Sequence, residues 1–593
     1  MFLRRSTKLS ACLTALWILS ATTVLAWGQG SASKARQPTD RAQAIYSQGM
    51  AALQKGDLNS ARSLFEKVVR LAPSSPEGHN SLGWVLMEQG QIDTAVAQFR
   101  AALKLRPAFV QAHLNLANAL ASERDFAEAQ SEAQEAVRLD PKDSEAHRTL
   151  GKIKSFRGNL SGGINELQTA ITIDPRRPDL HDDLGTLFEQ SGKIDEAAAQ
   201  FSESLRIKPD YFSAELHLGI VRWQQHEFLE AGELLAKATQ SAPENPQAHY
   251  YLGRVLEDEK KDDQAIAELK KTVALQPDFP EAQENLGLLA QRVGNIEDAI
   301  AAFRRLVQLR PDNPDAHNNL GLALIQSGDA ASSMPEFEIA IHLRPDDAGY
   351  VENLGTAYLQ RSDFDSAIKQ FHTALKIAPQ DATAHYDLGL ALKLKDQLPE
   401  AIAEFQKAAQ LSPEQPDVHY TLGVTLWQKG DFADSEKELS AATAAKPDYA
   451  EAYYTLGTVL KQDGKLNEAA AALRKAIEID PGLVGAHTNL AAILRQQGNA
   501  AGAESENRLA QELFKQSNTV QAATFNTNSG KRLLHAGDVD GAIAQFRSAI
   551  KIAPDYIPAH RELAQALAQK GQQAEADEEN RKAAQLAGTS SAQ

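Results

Sequence analysis

The sequence predicts an all-α protein built as a stack of helical hairpins, and three observations lead to this prediction. Proline recurs at the constant interval that separates Pro73 from Pro107, small residues return at two fixed positions of that period, and apolar residues follow the 3.6-residue spacing of a helix. Counting from Ala42 gives sixteen repeats over residues 42–590, provided that residues 518–522 are treated as an insertion. A short period of this kind is typical of an α-solenoid, in which each repeat packs on its neighbours.

Thirteen prolines mark the ends of repeats 1 to 13, because proline lacks the amide donor that a continuing helix needs. They are Pro73, Pro107, Pro141, Pro175, Pro209, Pro243, Pro277, Pro311, Pro345, Pro379, Pro413, Pro447 and Pro481. Further prolines such as Pro76 and Pro314 stand where a first helix should begin, and there the missing donor costs little.

Each repeat is predicted to contain two helices in close contact. Position 8 is glycine or alanine in every repeat, as in Gly83 and Ala117, and position 20 is glycine, alanine or serine. We expect the two helices to cross there, since a bulky residue would force them apart. In "EQGQID" and "QSGKID", glycine should end the first helix and aspartate should cap the second.

At this point the chain resembles the tetratricopeptide repeat family. The resemblance covers nearly all of residues 42–590 and includes aromatic residues at position 24, such as Phe99 and Phe201, and the closing prolines. It implies a right-handed superhelix whose first helices line a concave groove for peptides or partner proteins. Repeat 14 departs from the pattern, because Asn507 occupies position 24 and the closing proline is missing. We therefore expect residues 518–522 to bend or loosen the stack, and residues 523–590 to form repeats 15 and 16 with a polar cap, followed by a short tail at 591–593.

Residues 1–26 have the pattern of a secretory signal peptide. Three basic residues precede an apolar run from Ala11 to Ala26, which ends in small residues. The alternative is an uncleaved membrane anchor, although a spanning helix needs about 20 apolar residues and this run is shorter. We predict cleavage after Ala26, a flexible linker at 27–41 and export to the periplasm or cell surface of a bacterium.

Charge and cysteine content exclude several classes of function. Cys12 is the only cysteine and lies in the predicted signal, so the mature chain should have no disulfide, thiol catalysis or cysteine metal site. Removing the signal takes away three positive charges and moves the formal charge from −17 to −20. An acidic chain is a poor partner for nucleic acid or an anionic membrane, so membrane contact is expected only through an uncleaved signal.

Histidine recurs at position 4 of ten repeats. The ten are His79, His113, His147, His181, His249, His317, His385, His419, His487 and His560. Equivalent residues of stacked repeats lie about 10 Å apart, whereas zinc needs nitrogen ligands at about 2 Å, so no shared metal site is expected. We interpret these histidines as structural and hydrogen-bonded. The alternative is that these histidines titrate and make the stability of the stack depend on pH.

The candidate binding residues lie on another stripe of the first helices. Asn285, Asn319 and Asn353 occupy position 6 of three consecutive repeats and could pair with the backbone of an extended peptide. This row is similar to the asparagine ladder in the repeat region of O-linked N-acetylglucosamine transferases. Alternatively, asparagine simply suits an exposed helix face.

Aromatic residues follow the asparagine row. Tyr386, Tyr420 and Tyr454 take position 5 of the next three repeats, with Trp427 nearby, and flat amphipathic rings suit contact with peptide side chains or sugars. Here too, an exposed helix face would accept tyrosine without any binding role.

Two functions remain open from the sequence. The first is a non-enzymatic scaffold that holds proteins or extended peptides in its groove, and the second is a glycan-handling component of a polysaccharide assembly or export system. We expect no catalytic residues, metal or cofactor, because no catalytic motif is present and the short tail that follows the last repeat leaves no room for a catalytic domain.

Overall fold

The computed structural model describes residues 36–590, and this part of the chain forms 31 α-helices and no strand. Their bounds are α1 Arg36–Gln54, α2 Leu58–Leu71, α3 Pro76–Glu88, α4 Ile92–Leu105, α5 Val110–Ser122, α6 Phe126–Leu139, α7 Ser144–Phe156, α8 Leu160–Ile173, α9 Pro178–Gln190, α10 Ile194–Ile207, α11 Phe212–Gln224, α12 Phe228–Ser241, α13 Pro246–Asp258, α14 Asp262–Leu275, α15 Pro280–Arg292, α16 Ile296–Leu309, α17 Pro314–Gln326, α18 Ala330–Leu343, α19 Ala348–Gln360, α20 Phe364–Ile377, α21 Ala382–Leu394, α22 Leu398–Leu411, α23 Pro416–Lys429, α24 Phe432–Ala445, α25 Ala450–Gln462, α26 Leu466–Ile479, α27 Val484–Gln496, α28 Ala500–His535, α29 Val539–Ile552, α30 Ile557–Gln569 and α31 Gln573–Ser590. The predicted all-α solenoid is confirmed.

The helices pair as the repeat pattern predicts. The chain divides into two compact units at Asn295 and Ile296, and within each unit every helix packs on the helices before and after it in sequence. No described helix is long and apolar enough to cross a membrane.

Local signals in the sequence set the helix ends. Gly90 and Gly192 have φ of 72° and 76°, the left-handed conformation expected between paired helices. The prediction that aspartate caps the second helix in these two stretches is wrong. The cap residues are Gln91 and Lys193, and the aspartate lies in the first turn of the helix. Aspartate that directly follows glycine caps α2, α18 and α29, as in Asp57, whose carboxylate accepts the Ser60 amide at 2.9 Å.

The small residues at position 8 are required by the aromatic residues at position 24. A Cβ added to Gly321 would lie 2.5 Å from Cε1 of Phe337, and Phe337 is fully buried. The same arrangement pairs Gly389 with Phe405. A side chain at position 8 would therefore displace the ring that joins the two helices of the hairpin.

All ten position-4 histidines make the same two hydrogen bonds. In His317, Nδ1 lies 2.6 Å from the Glu336 carboxylate on the second helix, and Nε2 lies 3.2 Å from the carbonyl oxygen of Pro311, which closed the preceding repeat. Eight of the histidines face a glutamate in this way, whereas His79 and His181 face a glutamine. The interpretation of these histidines as structural and hydrogen-bonded is confirmed.

Residues 518–522 lie within α28, a continuous helix of 36 residues that joins the second helix of repeat 14 to the first helix of repeat 15. The expectation about the start of the array needs correction. The predicted linker at 27–41 is already helical from Arg36. The predicted signal peptide and the tail at 591–593 lie outside the described residues.

Candidate functional site

The first helices form the inner side of the stack within each unit. Successive first helices contact each other in most of the described repeats, as α3 does with α5 and α5 with α7, whereas successive second helices make at most marginal contacts. A stack that is more closely spaced on one side curves toward that side. The residues that the first helices present there are the candidates for binding.

A recurring polar contact joins neighbouring first helices on this side. Position 5 of one repeat contacts position 6 of the next, and we call this the 5–6 contact. It is formed by Tyr46 and Ser81 at 3.1 Å, Asn80 and Asn115 at 3.0 Å, Arg148 and Asp183 at 2.5 Å, Asp182 and His217 at 2.9 Å, Tyr250 and Asn285 at 2.9 Å, Asn318 and Asn353 at 2.8 Å, and Tyr386 and Thr421 at 3.1 Å. Some polar side chains of the inner face therefore stabilise the packing of neighbouring repeats.

The predicted asparagine row takes part in these contacts. The Asn285 amide donates to the Tyr250 hydroxyl, and the Asn353 amide donates to the Asn318 side-chain oxygen. Asn319 is half-buried, and the structure records no hydrogen bond of its side chain within residues 36–590. Two of the three predicted amides thus already serve the stack, and each keeps hydrogen-bonding capacity that these single contacts do not use.

The predicted aromatic residues are half-buried and packed within the chain. Trp427 donates its indole N–H to the Gln462 side chain at 2.6 Å, and the Tyr386 ring packs against Phe405 with 5.6 Å between ring centroids. Tyr420 packs in the same way on the ring of Tyr449, and Tyr454 reaches the first turn of α27, where its hydroxyl leaves no room for a Cβ at Gly485. These rings offer edges to a ligand more readily than the open faces that sugar stacking uses.

Repeats 4–6 carry a charge network on their inner face. Arg148 pairs with Asp183 at 2.5 Å and with Asp179 at 2.8 Å, and its side chain is 14% exposed. His217 donates to buried Asp182, and although burial lowers the pKa of His217, the Asp182 hydrogen bond and charge raise it above its ordinary value. Opposite charges therefore meet within the chain here, and the protein supplies its own counter-charges.

The 5–6 pair of repeats 10 and 11 is different. Here the two residues are Glu352 and Asp387, and the structure records no hydrogen bond or ion pair of either side chain within its described residues. Burial, together with the charges of Asp381 and Asp387, raises the pKa of Glu352 to about 7. Burial and Asp381 raise the pKa of Asp387 to about 6. Like charges oppose each other at a position where other repeats place complementary groups.

Apolar side chains lie around this pair on the same first helices. Leu359 is two turns from Glu352 on α19, and Leu390 and Leu394 are one and two turns from Asp387 on α21. Leu394 is 58% exposed. We call these residues, with Leu322, Ile325, Val424 and Trp427 at matching positions of the neighbouring repeats, the apolar stripe.

Sequence reasoning identified the helix face but missed several of its residues. The constant offset between position 5 and the next position 6 would have paired Tyr250 with Asn285 and Glu352 with Asp387. Within residues 36–590 no three histidine, cysteine, aspartate or glutamate side chains gather as a metal site requires. The arrangement can bind through apolar contact, hydrogen bonds and charge.

Family models for the tetratricopeptide repeat match much of the chain. One model described as "Tetratricopeptide repeat" matches residues 80–144, 284–348, 353–416 and 420–484, others with that description match 222–292 and 42–75, and a "TPR repeat" model matches 530–571. No curated protein sequence matches the chain.

Several solved structures are similar over parts of the chain. MamA from Desulfovibrio magneticus RS-1 is 25% identical, with coverage of 29% of this chain and 96% of MamA and a TM-score of 0.27. PilF of Pseudomonas aeruginosa is 22% identical, with coverage of 35% and 95% and a TM-score of 0.33. The Cut9–Hcn1 structure is 14% identical, with coverage of 89% and 98% and a TM-score of 0.35. With the repeat geometry described above, the family models show that the chain belongs to the tetratricopeptide repeat family.

Proposed function

We propose that the protein is a non-enzymatic scaffold that binds an extended peptide segment of a partner protein on the inner face of repeats 9–12. The supporting observation is the apolar stripe, and above all Leu394, which is 58% exposed on first helix α21. The other six side chains of the stripe are half-buried. An exposed leucine among half-buried apolar side chains on one concave face favours a partner interface, because its burial on binding releases water.

The apolar stripe and the 5–6 contacts have different roles on the inner face: the stripe contacts the ligand, and the 5–6 contacts join neighbouring first helices. Asn318–Asn353 and Tyr386–Thr421 join the first helices of repeats 9 and 10 and of repeats 11 and 12, whereas Glu352 and Asp387 form no such contact between repeats 10 and 11. Two of the three steps along the stripe are therefore held in place before a ligand arrives. A prearranged surface loses little conformational freedom on binding, and this favours affinity. A peptide in extended form would lay alternate side chains on successive repeats.

The test is retention of peptides from a random peptide library, followed by affinity measurements with individual retained peptides. We expect Leu394→Asn to weaken binding about tenfold, because roughly 1.4 kcal/mol of apolar contact is removed. The matched control is Leu229→Asn, since Leu229 is 74% exposed on second helix α12 and should leave affinity unchanged. Equal affinities of both variants and the native protein would place binding elsewhere.

The glycan alternative is tested in the same experiment by an oligosaccharide array. The half-buried rings of Tyr386, Tyr420 and Tyr454 do not favour it, and retention of sugars that depends on these tyrosines would restore it. The tyrosines can be changed to phenylalanine and to leucine, and only the second change removes an aromatic ring.

We further propose export from the cytoplasm, because the segment 1–26 carries a basic start, an apolar middle and small residues at the end. Fractionation of bacterial cells that produce the full chain, with N-terminal sequencing of the product, tests this. A mature protein that begins at Trp27 supports cleavage after Ala26, and a chain retaining residues 1–26 in the membrane fraction supports an anchor.

A further inference from the structure

The apolar stripe and the unmatched carboxylates of repeats 10 and 11 lie on the same helices and specify the chemistry of the ligand. We propose that the bound peptide is basic, with a lysine or arginine side chain held between Glu352 and Asp387 while its neighbouring apolar side chains pack on the stripe. This inference rests on the proposed function and names the partner's chemistry.

The charges around the pair support a cationic ligand. The charge of Asp381 raises the pKa of both residues, and its carboxylate already accepts the backbone amides of Thr383 and Ala384 at 2.8 and 3.1 Å as the cap of α21. Lys393 lies on the same helix as Asp387, but burial lowers its pKa, and no ion pair of its side chain is recorded in the described chain. The pair therefore has no counter-charge from residues 36–590.

A basic side chain would supply the missing counter-charge. Ionisation of two half-buried carboxylates that lie close to like charges destabilises the folded protein, and a cation bound between them offsets that destabilisation. Arginine suits the position best because its planar guanidinium donates hydrogen bonds to two carboxylates at once. Acidic, phosphorylated and other anionic ligands would meet repulsion at the same point.

The apolar stripe limits how the basic residue is presented. Leu359, Leu390 and Leu394 occupy the helix face beside the carboxylates, so a peptide with apolar residues on either side of the cation fits better than a run of basic residues. The two carboxylates select a basic side chain in the peptide, and the apolar stripe selects apolar residues next to it.

The experiment compares three peptides with the same apolar flanks and arginine, glutamine or glutamate at the centre, built from sequences retained from the random library. At pH 8 we expect the arginine peptide to bind about tenfold more tightly than the glutamine peptide, as for a partly buried charged hydrogen bond. This preference should disappear in Glu352→Gln/Asp387→Asn. It should also shrink between pH 8 and pH 5, where both carboxylates take up protons.

The control variant is Glu400→Gln/Glu468→Gln, which removes two exposed acids from second helices α22 and α26 and makes the net charge less negative by the same amount. It should keep the preference for arginine. Equal binding of all three peptides by the native protein, or a preference that survives in Glu352→Gln/Asp387→Asn, would overturn the inference. Circular dichroism confirms that each variant is folded.

Failure of this inference can be told apart from failure of the proposed function. If peptides bind without a preference for charge and Leu394→Asn still weakens them, the scaffold function stands and the basic ligand does not. If the native protein retains no peptide at all, both proposals fail.

Discussion

Repeats 4–6 and repeats 10–11 use the same pair of positions in opposite ways. In the first region, Arg148 meets Asp183 and Asp182 meets His217, so charges of opposite sign join neighbouring first helices. In the second region, Glu352 and Asp387 occupy the equivalent positions without a counter-charge from the described chain. The helix geometry is shared, so the difference comes from side-chain chemistry alone. One region uses its inner face for stability, and the other leaves it available for a partner.

The largest effect should come from breaking the charge network of the first region. Arg148→Ala leaves Asp183 half-buried with only Lys152 at 3.6 Å, whereas Asp179 keeps its ion pair with Arg177 at 2.6 Å. Removal of one member of a buried ion pair costs about 3 kcal/mol. Urea unfolding followed by circular dichroism should show the loss, and hydrogen exchange should place it in α7 and α9. An array of repeats need not unfold in one step, so the local measurement is needed.

The control for that change is an exposed ion pair. Arg206 and Glu203 lie one turn apart on the second helix α10, with the Arg206 side chain 73% exposed, and Arg206→Ala should leave stability unchanged. If Arg148→Ala and Arg206→Ala behave alike, the network does not stabilise the first region.

A smaller effect of opposite sign is expected in the second region. The pKa values of Glu352 and Asp387, about 7 and 6, lie above the ordinary values for these groups, so the folded protein loses stability as pH rises through roughly 4 to 7. Glu352→Gln/Asp387→Asn removes that loss. At pH 8 the variant should be more stable by roughly 1–2 kcal/mol, a figure reduced for the partial exposure of both groups.

A comparison of the two proteins at pH 5 and pH 8 is the control for this gain in stability. At pH 5 both native carboxylates are largely protonated, so the native protein and Glu352→Gln/Asp387→Asn should differ much less than at pH 8. Slower hydrogen exchange of α19 and α21 in the variant at pH 8 is the local signature. A variant that is less stable than the native protein at pH 8 would show that the two carboxylates have partners within the chain.

The sequence predicted the fold because the repeat pattern makes local and global signals agree. Gly321 at position 8 and Phe337 at position 24 occur in the same relation in many repeats, and one contact explains both. Residues 518–522 continue the helix α28, because nothing in their composition stops a helix and the closing proline of repeat 14 is missing.

The binding surface was only partly predictable from sequence. Helical spacing placed Asn285 and Asn353 on the correct face, but it did not show that the Tyr250 hydroxyl and the Asn318 side chain already accept their amides. Such contacts depend on how far one repeat is shifted against the next, and a single repeat does not contain that information. For the same reason, the opposition of Glu352 and Asp387 emerged only when neighbouring repeats were stacked.

The smallest effect concerns a histidine contact of the kind that occurs in both regions, and the pair of His113 and Glu132 in repeat 3 tests whether such a contact depends on pH. Burial lowers the pKa of His113, but the hydrogen bonds to Glu132 and to the carbonyl of Pro107 outweigh it and raise the pKa above its ordinary value. Because the folded pKa is raised, the stability this contact contributes is fully present below about pH 6.5 and is lost as pH rises through the folded pKa.

Glu132→Gln gives His113 the kind of partner that His79 already has in Gln98. We expect a loss of roughly 0.5 kcal/mol at pH 6, discounted for solvent screening, and a smaller loss at pH 9. Urea midpoints at the two pH values, and an NMR titration of the His113 ring in both proteins, measure it. An equal loss at both pH values would mean that the contact acts through packing and that charge contributes nothing to it.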